Sequence, residues 1–193
     1  MKKGLKYGLF ALLIIAAVSA SLLCGCSNLR EREETGVYIN EAVSSNGGCY
    51  RDDAFGTPDW IELYNASPQE VDLGGWSLTD GSGAQNKFTF PEGSVIPASG
   101  YFCIICTDGA ASGSENAASF GLSKYGETVT LFREDGSVAQ RLVLPALERD
   151  ISYARNGEGG YAYSFAPTFR EKNGSFCETL AEAAAARDGG GGL

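Results

Sequence analysis

Asp52, Asp53, Asp59 and Glu62 crowd into one short segment, and carboxylates at that density could do two kinds of chemistry. A pair of them can divide acid and base roles in hydrolysis. Alternatively, an oxygen-rich loop binds Ca²⁺ when several carboxylates and carbonyls converge. Asn46, Asp52, Asp53 and Asp59 are the candidate calcium ligands, although their spacing does not match an EF-hand loop. An ordinary solvated acidic loop is the simpler reading. Glu62 could serve as a general acid or a ligand, but a strand carboxylate more often faces solvent or bonds to neighbouring backbone. The chain has no histidine, which removes the commonest general base, the Ser-His-Asp arrangement and histidine metal sites together. Nothing in the sequence singles out a pair of carboxylates with contrasting acid and base environments. No catalytic residue is therefore assigned, and calcium is the one cofactor considered.

Cysteine chemistry is equally constrained. Cys103 and Cys106 have CxxC spacing but lie in YFCIICT, a continuous strand-like run without a turn residue. In a strand their side chains point to opposite faces, so they cannot easily chelate one metal or form a redox pair, and buried thiol is the favoured reading. Cys49, Cys103, Cys106 and Cys177 allow three disulfide pairings, among which the sequence does not choose.

The elements that must carry these residues are short strands. Runs at 37–43, 60–64, 70–79, 87–90, 101–107, 128–133, 137–144, 151–154 and 161–165 alternate in polarity or are rich in strand formers. Turn residues separate them, as in Asp80-Gly81, Pro91-Glu92-Gly93 and Glu134-Asp135-Gly136. VTLFREDGSVAQRLVL reads as a hairpin in which Gly136 supplies the positive φ of a short loop. Without helices to cover a parallel sheet, such a pattern predicts an antiparallel sandwich or barrel. Within WIELY, Ile61 and Leu63 share one face, while Trp60, Glu62 and Tyr64 share the other. One face should be core and the other at least partly wet. Trp76, after the Gly74-Gly75 bend, is expected in the core between two sheets. Tyr50, Phe55, Trp60 and Tyr64, around the acidic loop, are the candidate stacking surface for a ligand.

Residues 1–25 read as an export signal: Lys2, Lys3 and Lys6, then an apolar run, then Leu23-Cys24-Gly25-Cys26. That ending resembles a bacterial lipobox, with Cys26 as the lipidated residue; an uncleaved membrane anchor over residues 7–24 is the alternative. Acyl chains worth roughly 0.8 kcal/mol per buried methylene would hold the mature chain at a membrane, facing the extracytoplasmic side. Residues 26–35 form a polar tether, 36–175 the folded domain, and 176–193 a helix-prone, glycine-rich tail with little apolar surface to bury. Loss of residues 1–25 would leave 12 bases against 24 acids, a net charge of −12. Nucleic acid is then not an expected partner, since phosphate binding depends on Lys and Arg releasing counterions.

VYINEAVSSN, PDWIELYN, VDLGGWSLTD, FTFPEGSVIPASGY, FGLSKYGETVTLF and LERDISYAR follow in order from Val37 to Arg155. Together they resemble the lamin tail domain of bacterial surface and secreted proteins. The resemblance implies an all-β, immunoglobulin-like antiparallel sandwich that accompanies extracellular enzymes as an accessory module. Related modules often close with a Pro-Gly turn before a final Asn, whereas this chain has APTFREKNG at 166–174. The expected function is a non-catalytic, surface-displayed lipoprotein that binds or scaffolds at the cell envelope, with the membrane and a surface protein or glycan as partners. A carbohydrate-binding or adhesive accessory module is the alternative, and a carboxylate-based hydrolase a more distant one.

Overall fold

A computed structural model describes residues 36–81, 86–109 and 115–190 of the chain. The expected export signal, the Cys26 lipidation site and the polar tether lie outside the described residues.

Among the described residues thirteen strands build the domain, and the longest fall where alternation predicts them. β1 (Val37–Val43), β2 (Asp59–Asn65) and β7 (Tyr101–Cys106) run antiparallel at the heart of a seven-stranded sheet. Beyond β1 lie β11 (Ser152–Arg155), β12 (Tyr161–Ser164) and β13 (Phe176–Cys177). On the far edge β8 (Ala117–Ala118) pairs parallel with β7. A second sheet orders β10 (Val138–Leu144), β9 (Glu127–Phe132), β4 (Ser77–Asp80) and β5 (Phe88–Thr89). β3 (Val71–Asp72) and β6 (Val95–Ile96) form a small ribbon. The β9–β10 hairpin turns through Gly136 at φ 78°, as its sequence requires.

The two main sheets face each other across one apolar core. Ile39, Ile61, Leu63 and Ile104 from the larger sheet meet Leu78, Val129, Leu131 and Leu142 from the smaller one. This is the antiparallel sandwich expected from the strand pattern. β6, β8 and β13 were not anticipated, because two residues are too few to show a period of two.

Trp76 departs from its expected place. It is half-buried and only packs against the core, with the Arg133 guanidinium 5.8 Å from its ring. The bend at Gly75, which has φ 74°, sets Trp76 at the rim of the sandwich.

The helix-prone tail docks on the domain although it has little apolar surface to bury. Residues 180–189 form a helix, α1, opened by a capping box in which Thr179 and Glu182 satisfy each other's backbone N–H. Ala183 is buried against Leu147 and Ile151, and Arg187 Nη1 donates to the Arg149 carbonyl at 2.6 Å. A small residue suffices for that contact, so the helix docks without a broad apolar stripe.

Candidate functional site

The outward face of the larger sheet decides where a ligand could bind. β1 is bulged between Ile39 and Glu41, so Asn40 and Glu41 are both diverted from the core, and Glu41 stands opposite Glu62 of β2. Along β2, Trp60, Glu62 and Tyr64 project outward, as their alternation predicts. What was not foreseen is a cover. Residues 166–173, in the loop between β12 and β13, fold back across half of this face as a strap.

Beneath the strap both carboxylates are buried at 0 % exposure. Glu41 accepts hydrogen bonds from the Ser152 hydroxyl, and from the Thr168 N–H at 3.1 Å and hydroxyl at 2.9 Å. Glu62 accepts from Asn40 Nδ2 at 2.7 Å, from the Arg170 N–H at 2.6 Å and from Cys103 Sγ at 3.3 Å. Arg170 reaches that position with φ 63°, an uncommon conformation for a residue with a Cβ. Asn173 pins the strap: its Nδ2 donates to the carbonyls of Asn40 and Arg155, while its Oδ1 accepts from Asn40 and Thr168.

Burial pushes the Glu41 carboxyl up to about 7, against hydrogen bonds that favour its charged form and with the Glu62 charge adding to the rise. Burial raises Glu62 as well, opposed by Asn40 and the Arg170 N–H. Such carboxylates resemble catalytic ones in their titration, but the strap seals both from substrate. Glu62, the candidate acid or ligand, is thus a structural acceptor.

The aromatic residues proposed as one stacking surface separate into two groups. Trp60 is fully buried, contrary to expectation, because Phe169 of the strap covers it edge-on with centroids 5.4 Å apart. Tyr50 lies flat on the other side of Phe169 at 3.8 Å. Phe55 is half-buried at the loop turn, where its N–H bonds to Asp52. Tyr64 sits four residues along β2 from Trp60, about 13 Å away at the usual strand rise. There it lies between Tyr38 of β1 and Tyr101 of β7, with ring centroids 5.5 and 4.9 Å apart. The pairing of the strands aligns all three tyrosines.

The strap stops short of this tyrosine row. A groove of about 260 Å³ remains there, edged by Arg155 and by Lys172 and Asn173 of the strap. Arg155 lies over the Tyr38 ring at 4.1 Å. Tyr38 and Tyr101 carry no motif of their own, and only strand pairing, invisible in a single sequence, brings them to Tyr64.

The acidic loop is wired inward rather than toward an ion. Asn46 Nδ2 donates to the carbonyls of Tyr50 and Pro58 at 2.8 and 2.7 Å. Asp52 accepts from the N–H groups of Ala54 and Phe55, and Asp59 from those of Asn46 and Leu122. Asp53 is exposed. Among the described residues no group of three or more His, Cys, Asp or Glu side chains is arranged to hold a metal. The candidate calcium ligands Asn46, Asp52, Asp53 and Asp59 are not gathered as a set: backbone N–H groups bond Asp52 Oδ1 and both Asp59 oxygens, the Tyr50 hydroxyl bonds Asp52 Oδ2, and Asp53 is turned to solvent. All four described cysteines are free thiols. Cys103 faces Glu62 and Cys106 the core, on opposite faces of β7. Burial raises both thiols, and raises Cys49 to about 12, so all three stay protonated near neutrality.

A model of the lamin tail domain matches residues 31–144, more than half of the chain. The chain belongs to the lamin tail domain family. Its immunoglobulin-like sandwich follows from that membership and from the sheets described above. The family points to a non-catalytic binding module, and no catalytic family is indicated. No curated protein is similar enough to count as a match. The matched span ends with β10, so the lamin tail domain here carries β11, β12, the strap, β13 and α1 beyond it.

Proposed function

We propose that this chain is a lipid-anchored, surface-displayed binding module that takes a saccharide on its tyrosine row. The observation that carries this reading is the alignment of Tyr38, Tyr64 and Tyr101 across three neighbouring strands, beside a groove the strap leaves open. Aromatic rings offer apolar area at little entropic cost, with a hydroxyl at the tip for polar recognition. At about 260 Å³ the groove is smaller than the roughly 300–1,000 Å³ typical of drug-sized sites. It therefore suits one or a few units of a chain rather than a large compact ligand.

Tyr64→Ala should abolish binding to the glycans recognised on an array, while Phe55→Ala, away from the row, should leave it intact. Equal binding by wild type and Tyr64→Ala would refute the site. The anchor is tested separately by metabolic labelling with a clickable palmitate analogue. The protein should take the label, Cys26→Ser should lose it, and full labelling of Cys26→Ser would refute lipidation at that residue.

A further inference from the structure

The groove beside the tyrosine row is rich in hydrogen-bond donors and positive charge, in a chain with a formal net charge of −9. Arg155 and Lys172 both line it, and among the described residues neither forms an ion pair with a carboxylate. Several cations elsewhere are neutralised locally: Lys87 by Asp80, Arg149 by Asp150, and Arg187 by Glu148 and Asp188. The Arg155 guanidinium is held in place over the Tyr38 ring instead. A guanidinium fixed in this way loses less side-chain entropy when it meets an anion.

The tyrosine hydroxyls add to the donor set. Burial raises Tyr38 and Tyr101 above the usual phenol value, so both remain protonated donors near neutrality. Glu41 and Glu62, whose charges reach Tyr101, are sealed beneath the strap and bonded to its Thr168 and Arg170. Among the described residues no carboxylate lines the groove itself. A neutral sugar would satisfy the rings but would leave the half-buried Arg155 and the exposed Lys172 without a counter-charge.

We infer that the groove selects an anionic saccharide, whose carboxylate or phosphate group is read by Arg155 and Lys172 while the tyrosines hold the sugar ring. This rests on the binding reading above and specifies its ligand class. Arg pairs equally well with the planar edge of a carboxylate and with a phosphate, so the two sources share one recognition chemistry.

Two matched pairs of probes separate charge from stacking and one source from the other: oligogalacturonate with its methyl ester, and phosphomannan with mannan. Binding to the full chain in detergent is measured by calorimetry at low and at 0.5 M salt. The charged member of at least one pair should bind at least tenfold more tightly than its neutral partner, and the preference should shrink at high salt. The pair that responds identifies carboxylate or phosphate. Lys172→Met, an exposed change that spares the fold, should reduce the preference, and Lys172→Met with Arg155→Met should remove it while leaving Tyr64-dependent binding to the neutral partner. Equal, Tyr64-dependent binding of charged and neutral members overturns the anionic selection and leaves the saccharide reading standing. If no probe binds in a Tyr64-dependent manner, both readings fail.

Discussion

Trp60→Ala will destabilise the domain by about 3–5 kcal/mol, the range for truncating a large aromatic in a packed interior. Trp60 is 0 % exposed, lies opposite Val43 and Ile105 on the flanking strands, and is closed over by Phe169. Its indole N–H has no acceptor in hydrogen-bonding geometry and lies near the Cys49 thiol, so the loss is one of packing rather than of a polar bond. Urea unfolding should show a lower midpoint at an unchanged slope. Trp76→Ala should cost less, because Trp76 is only half-buried at the rim. A loss below about 1 kcal/mol for Trp60→Ala would mean that the strap does not cover this face.

The second large effect is a dependence on pH that runs opposite to ordinary acid denaturation. Glu41 titrates at about 7 in the fold and near its usual value of 4.5 when unfolded. Below pH 4.5 both states hold the proton and burial of the carboxyl carries no charge penalty. Between pH 4.5 and about 7 the folded chain retains a proton that the unfolded chain releases, so stability falls as pH rises, and above about 7 the loss is complete. The full difference is on the order of 3 kcal/mol. Glu62, Asp59 and Glu127, also raised by burial, act in the same direction. Asp150 opposes them: burial pushes it up, but the Cys49 and Gly47 N–H groups outweigh that and hold it low. Urea unfolding at pH 5 and pH 8 should therefore give the higher stability at pH 5. Glu41→Gln should flatten the difference, and a wild type more stable at pH 8 would refute the buried charge.

The parts of the fold that were legible in the sequence are those governed by local periodicity. Alternation in VYINEAV, WIELY and VTLF located β1, β2 and β9, and Gly136 marked the hairpin turn. The same alternation placed Trp60, Glu62 and Tyr64 on one face. Whether that face was wet depended on a segment more than a hundred residues away, so Trp60 and Trp76 exchanged their expected roles. APTFREKNG looked like a departure from the family's closing turn. Its Asn173 instead bonds to both Asn40 and Thr168, a role that a lone polar residue in a loop does not disclose. Of the four aromatics chosen as a ligand surface, Tyr64 alone lies on the open groove, since register across strands rather than nearness in sequence selects its companions.

The strap also sets an order of events. Asn173 and Thr168 close over Asn40 and Glu41, bonds that span 133 and 127 residues of chain. β1 pairs with β11 across a similarly long loop. Contacts of such separation slow folding, because the entropy of loop closure must be lost before they reward it. During synthesis the first strand therefore emerges long before the residues that seal it, with Glu41, Glu62 and Trp60 still open to water. The outer face can close only once nearly the last residue of the domain is free to move, whichever end of the chain begins to fold.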